Sequence, residues 1–427
     1  MKIIRYTDSQ YQEEVERLVN RSNLDLATQD ATVREIIDAV KSEKDEALLR
    51  YTNQFDRCDY KLDDIRVSEK AIQHAYTQVT KEEVAALKIA AENIRRFHQK
   101  QVQESWQYQE GGVTLGQMVR PLQIVGIYVP GGKASYPSSV LMNAIPAQVA
   151  GVERIVMCSP SPDGETSPHT LVAADLAGVS EIYKVGGAQA VAAMAYGTPT
   201  IPKVDKIVGP GNIYVALAKR LVFGIVDIDM IAGPSEILIV ADDSAHPEFV
   251  ASDLLSQAEH DEEAVPILIT SSEAVAEKVL QALEEQKKKL KRQAIIETSL
   301  KNGCRLFVVE SLQAGIDLAN RIAPEHLELA VEEPAKWAEK IINAGAVFLG
   351  HYTPEAIGDY LAGPNHVLPT SGTARFSSPL GVYDFIKKTS IISYTQEELK
   401  KSGPQAVILA EMEHLDAHAN SVRIRIT

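Results

Sequence analysis

Residues 122–158 read LQIVGIYVPGGKASYPSSVLMNAIPAQVAGVERIVMC, and this stretch decides the fold class. Its ends, LQIVGIYV and RIVMC, are short apolar runs of the kind found in strands buried on both faces. Between them SSVLMNAIPAQVA repeats its apolar residues at helical spacing. Strand, helix, strand in one continuous stretch is a βαβ unit, so the two strands are expected to lie parallel.

The same alternation continues downstream. EIYKV and KIV, then EILIVA, VPILIT, RLFVV and AVFL, are separated by amphipathic segments such as TLVAADLAGV, AQAVAAMAYG, NIYVALAKRLVF, PEFVASDLLSQAE and PAKWAEKIINAG. Roughly four strands fall on each side of GPSE at 233–236, which predicts two similar α/β halves meeting near Gly233 with the site in the cleft between them. Upstream, residues 9–105 carry a helical pattern throughout, either as a separate third or as an arm packed on the rest. The texture changes at GGVTLGQMVRPLQIVGIYV, two β-like runs divided by Arg120 and Pro121. A breaker-rich passage at 363–381, GPNHVLPTSGTARFSSPLG, is expected to wrap over a site, and PQAVILAEMEHLDAHANSV in the tail reads as helix.

Bulk properties narrow the class. At roughly 150 residues per domain, 427 residues make two or three domains. An apolar fraction of 45% and a charged fraction of 24% are those of a globular protein, not of a disordered or fibrous chain. The net charge of −15 disfavours binding to nucleic acid or an anionic membrane. The basic run QKKKLKR at 286–292 follows two glutamates on a helical pattern and reads as a solvated face. MKIIRYTDSQ lacks the apolar core of a secretory signal, and no run approaches the roughly 18 apolar residues of a membrane span, so a cytoplasmic location is expected. Cys58, Cys158 and Cys304 form no CxxC pair and are read as structural; a bound metal must use other ligands.

Such ligands are available. In LLSQAEHDEEA, 254–264, Gln257 and His260 stand three apart at a helix end, where carbonyl and ring can converge on one ion; the plainer reading is a solvated polar C-terminus. HYTPEAIGDYLAGPNH, 351–366, places Asp359 on a short helix between His351 and His366, and the tail offers Glu413, His414 and His418, the two His at i and i+4. These nitrogen and oxygen donors suit a zinc-like ion. RIAPEHLELA sets Glu325 beside His326 after a helix-ending Pro, as if at the mouth of a βα unit: a carboxylate to activate water, an imidazole to move alcohol protons. The competing reading is a helix-to-strand junction whose His caps a neighbour. Among the glycine-rich pieces IYVPGGKASYPSS, VGGAQA and VGPGNIYVALAKR none is GxGxxG, since Tyr214 stands where the third Gly belongs. Asn212 and the helix it opens remain able to receive a phosphate or ribose.

Taken together, QAEHD, RIAPEHLE, GDYLAGPNHVLPTSGTARFSSPL and IYVPGGKASYPSSVLM resemble the histidinol dehydrogenase family, in the family's order and from about residue 10 to the C-terminus. The resemblance implies one zinc per subunit held by Gln257, His260, Asp359 and His418, the last supplied by the other subunit of an intertwined homodimer. It implies that Glu325 activates water and that His326 is the acid–base residue. Ser235, His366 and Glu413 would contact substrate together with His326 and the four zinc ligands, and Tyr128, Gln189 and Asn212 would contact NAD. The implied reaction is oxidation of L-histidinol through L-histidinal to L-histidine with two NAD, the final steps of histidine biosynthesis.

The implied fold is α/β, with two incomplete Rossmann-like parallel-sheet domains. The expected division is a helical segment at 1–110, an NAD-side domain at 111–234, a metal and catalytic domain at 235–375, and a small C-terminal helical domain at 376–427. Three alternatives stand beside this reading: a related zinc and NAD dehydrogenase acting on another alcohol, such as a sulfonated one; a zinc hydrolase using Glu325 without NAD; and a two-lobed solute-binding protein.

Overall fold

The computed structural model describes residues 1–21, 27–131 and 136–427, so Gly132–Ser135 of the IYVPGGKASYPSS motif lie outside the described residues. The quoted stretch forms β4 (Ile124–Tyr128), the helix Pro137–Ala150 and β5 (Arg154–Cys158), with β4 and β5 parallel and in register from Ile124 opposite Arg154. They are joined by β6 (Glu181–Tyr183), β7 (Lys206–Val208) and β8 (Asp227–Ile228) in a parallel sheet ordered β6-β5-β4-β7-β8. Downstream, β9 (Glu236–Ala241), β10 (Val265–Thr270), β11 (Arg305–Val308), β12 (His326–Ala330) and β13 (Ala346–Leu349) run β11-β10-β9-β12-β13. Counted from its own first strand, each set has the order 3-2-1-4-5 of a doubly wound nucleotide-binding half, with its topological switch at β4/β7 or β9/β12. Strands such as Glu236–Ala241 are buried at every residue because helices cover both faces of a parallel sheet.

The N-terminal residues contribute more than helix. Ile3–Arg5 forms β1, which pairs parallel with β11 and extends the second sheet to six strands. The helices that follow are amphipathic and pack on the α/β core rather than standing apart. Val15 and Leu18 join the second sheet's core, while Val33, Ile36, Val40, Leu48, Ala91 and Ile94 join the cores around the first.

β2 (Trp106–Glu110), β3 (Val113–Pro121) and β14 (Ile386–Tyr394) make an antiparallel arm, β14 pairing with β3 along its whole length. The tail expected as one helix is a hairpin of two, Gln396–Met412 and Asp416–Ile426. His414 has φ +58, a left-handed conformation that ends the first helix, so His414 and His418 do not share a helical face. Gly403 lets the two helices close, since a Cβ there would meet Ile426 at 2.7 Å. Among the described residues, no helix is long and apolar enough to cross a membrane.

Candidate active site

Glu325 and His326 lie at a helix-to-strand junction, not at the mouth of a βα unit. The helix Leu312–Ile322 ends on Ala323 in a left-handed conformation (φ +50), Pro324 prevents its continuation, and His326 is the first residue of β12. The pair therefore sits at the amino edge of the six-stranded sheet. Both side chains are held by the backbone of one residue on the adjacent strand: the Glu236 N–H donates to Glu325 Oε2 at 2.8 Å, and the Glu236 carbonyl lies 2.9 Å from His326 Nδ1. A carbonyl only accepts, so Nδ1 carries a proton and Nε2 is the nitrogen that gains or loses one. Glu236 is anchored in turn, its carboxylate taking Arg21 Nε and Nη2 at 2.5 and 2.6 Å and the Ser371 N–H at 3.0 Å.

Nε2 of His326 faces a cluster of acids. It is 3.7 Å from Asp359 Oδ1 and 3.9 Å from Glu355 Oε1, and one donor atom each of His260, Glu355 and Asp359 lies within 4.8 Å of the others. His260 follows directly on the helix Pro247–Ala258, its N–H on the Gln257 carbonyl at 3.1 Å. Gln257 is not solvated: it is fully buried, and neither amide atom has a partner. His326 Nε2 and Glu355 Oε1 are likewise buried without partners.

Glu355 was not anticipated as a site residue. The signal available was its spacing, four before Asp359, which puts two carboxylates on one helical face. Its remaining groups are occupied, Oε2 by the Ser256 hydroxyl at 2.9 Å and N–H by Glu328 Oε1 at 2.7 Å, which leaves Oε1 aimed at His326.

His366 joins the cluster through Nδ1, 3.0 Å from the Asp359 carbonyl, and its Nε2 lies 3.4 Å from the Ser139 hydroxyl of the first half. His351 stands apart, bonded to Ser244 at 3.2 Å. Glu413 and His418 are exposed on the tail hairpin and lie outside the cluster within one chain. Ser235 is half-buried, one residue before Glu236. The breaker-rich passage packs into the crossing between the halves: Asn365 Nδ2 donates to the Met142 carbonyl at 2.7 Å, and the Thr370 hydroxyl takes the Gly233 N–H at 2.6 Å.

Burial pushes the Glu325 carboxyl up to about 8, against the opposing pull of His326. Burial by itself lowers His326, but Glu325, Asp359 and Glu355 outweigh it and raise the imidazole to about 10. Burial would also raise Asp359, yet the surrounding histidines, His326 foremost, bring it to about 2. Desolvation raises Glu355 to about 7 and lowers both His260 and His366. This is a site where carboxylates and imidazoles are forced apart in proton affinity, as acid–base chemistry requires.

The candidate cofactor residues gather at the carboxyl edge of the other sheet, around the β4/β7 switch. Tyr128 ends β4, and its hydroxyl accepts the Gly187 N–H at 3.1 Å. Gln189 is buried with its amide unpartnered. Asn212 caps the helix Ile213–Val222, Oδ1 accepting from the N–H groups of Tyr214 and Val215 at 3.1 and 3.2 Å. Gly209 (φ +107) is obligatory in this loop, because a Cβ would fall 2.1 Å from the Tyr128 carbonyl oxygen. The buried Lys219–Asp229 pair closes the loop, Lys219 Nζ donating to the Gly209 carbonyl at 2.9 Å and Asp229 accepting the Gly209 N–H at 2.8 Å.

A family described as histidinol dehydrogenase matches residues 19–426. The histidinol dehydrogenase of Syntrophotalea carbinolica is 55% identical over 427 residues, 100% of this chain and 99% of the relative. That of Geobacter sulfurreducens is 54% identical over 428 residues, covering 100% of both. The crystal structure of histidinol dehydrogenase from Elizabethkingia anophelis superposes with a TM-score of 0.93 at 40% identity, covering 100% of this chain and 98% of that one. The chain belongs to the histidinol dehydrogenase family and is an oxidoreductase.

Proposed function

We propose that the chain oxidises L-histidinol to L-histidine in the cytoplasm, using two NAD and one zinc ion per subunit. The observation that carries this reading is the set of unpartnered buried groups on Gln257, Glu355 and His326 around the His260 and Asp359 donors. Buried polar atoms without partners are costly, and a cation with a nitrogen-rich substrate would satisfy them. The donor set fits zinc: imidazole and carboxylate, with Gln257 as a neutral oxygen. Gln189, buried and unpartnered at the carboxyl edge of the five-stranded sheet, similarly supports a cofactor seat there.

When bound, zinc would hold the substrate's imidazole and amine and so fix its orientation. NAD would take up one hydride in each oxidation. The remaining steps fall to this chain's own groups. His326, once Nε2 has lost its proton, receives the alcohol proton there as the carbinol carbon becomes an aldehyde, and releases it before the second oxidation. Glu325, once ionised, takes a proton from the water that adds to the aldehyde, and that water's oxygen becomes the second carboxylate oxygen. His326 then accepts the hydrate proton. Ser235 and His366 flank the substrate in this reading.

The arm and tail expose Trp106, Tyr108, Ile392, Ile408, Leu409 and Met412, more apolar surface than an isolated chain ordinarily leaves uncovered. A homodimer that covers it, and carries Glu413 and His418 into the other subunit's site, belongs to the same reading. So does the division of the chain at residues 110, 234 and 375.

The test is NADH formed from zinc-loaded protein at limiting L-histidinol, counted against substrate consumed and repeated after chelation. About two NADH per histidinol, as two hydride transfers require, lost on chelation and restored by zinc, is the expected result. Active-site-competent protein yielding no NADH would refute the substrate assignment.

A further inference from the structure

Asp359 is carried by an unusual piece of backbone. The one-turn helix Glu355–Ile357 runs straight into a wide π-turn, Gly358–Ala362, whose N–H groups reach back five residues instead of four. Tyr360 and Leu361 on this turn are exposed, so apolar packing does little to hold it. The His366 ring bonds the Asp359 carbonyl, and the rest of the hold comes from the N-terminal helix Lys81–Gln99. The Asn93 side-chain amide donates to the Leu361 carbonyl at 2.8 Å, and the Arg96 guanidinium donates to Asn93 Oδ1, which keeps the NH₂ end of the amide turned towards the loop. Gly363, at φ +112, passes so close that a Cβ would lie 2.7 Å from the Asn93 backbone oxygen. Side chain and main chain of one residue thus dock the end of the turn.

We propose that Asn93 is a positioning residue for Asp359, locking the π-turn in the register that points this carboxylate at His260 and Glu355. This rests on the zinc reading above and gives the N-terminal helices a part in the metal site. The physical reason is register. If the Leu361 carbonyl loses its donor, the turn can relax to ordinary α geometry, and one residue of slip rotates a side chain by roughly 100° about the helix axis. Groups that orient metal ligands in this way contribute roughly 10- to 100-fold to metal affinity.

The test uses the full chain, with Asn93→Ala and the near-isosteric Asn93→Asp, which keeps the shape but cannot donate. Zinc affinity is read by competition with a chromogenic chelator, and thermal unfolding of the metal-free proteins reports on the fold. Lys100→Ala, in the same groove and outside these two hydrogen bonds, is the reference. The expected result is a loss of zinc affinity of roughly tenfold or more in both Asn93 variants, with metal-free midpoints unchanged and Lys100→Ala close to wild type. Wild-type affinity in the Asn93 variants overturns the proposal, as does a loss that appears only with an equal fall in metal-free stability. Wild-type chain that takes up no zinc would overturn the metal reading itself, and this inference with it.

Discussion

His326 Nδ1 lies 2.9 Å from the carbonyl oxygen of Glu236, and this single bond selects the tautomer in which Nε2 faces the acid cluster. If Nε2 is the proton acceptor in both oxidations, His326→Gln should slow each by roughly 10²- to 10⁴-fold, the usual contribution of a positioned base. Stopped-flow NADH formation from histidinol, and separately from histidinal, checks this. Loss of only one step would refute a shared base.

In the proposed mechanism Glu325 enters only when water is activated. Glu325→Gln should therefore spare the first hydride transfer and impair the second, so that NADH per histidinol falls from about two towards one as aldehyde accumulates. A variant still producing two at wild-type rate would remove Glu325 from the mechanism.

The raised proton affinities have a consequence for stability. Between pH 7 and 9 an unfolded chain has both Glu325 and His326 deprotonated, whereas the folded metal-free protein retains protons on them until about pH 8 and about pH 10. The folded state binds more protons, so its stability falls as pH rises through this window, by up to about 1.4 kcal/mol per pH unit for each extra proton held. His260 and His366 are lowered and are neutral in both states there. Denaturation of metal-free protein from pH 7 to 9 should show the decline, and Glu325→Gln should make it shallower. A midpoint that climbs with pH would contradict the assignment.

Arg21 and Glu236 form an almost fully buried ion pair beneath the dyad. Arg21→Met leaves the Glu236 carboxylate uncompensated and should cost about 3–5 kcal/mol in stability, measured by urea unfolding. A loss below about 1 kcal/mol would mean that the Ser371 N–H suffices to satisfy Glu236.

The proposed sharing of sites between subunits makes a last prediction. Gln257→Ala and His418→Ala chains, each inactive alone, should recover part of the activity when mixed under conditions that exchange subunits. Demonstrated exchange without recovery would count against a tail that serves the partner's site.

The sequence by itself determined the parallel α/β halves, because strand and helix periodicities are local and each LQIVGIYV or PEFVASDLLSQAE carries its own pattern. It also marked Glu325, His326, His260 and Asp359 as candidates, because those residue types sit in extended motifs. Tertiary structure decided what periodicity does not encode. Strand β1 joins the second sheet by pairing with a strand some 300 positions away in the chain, Ile3 opposite Leu306. His414 breaks the tail helix through a left-handed backbone in an otherwise helical pattern. Glu355 became part of the site only when the π-turn and Ser256 aimed its free oxygen at His326, and the dyad's location at the amino edge of its sheet followed from Pro324 and the backbone of Glu236. Apart from the local break at His414, each of these depends on contacts between residues far apart in the chain, formed by packing and hydrogen-bond satisfaction, which no single segment can specify.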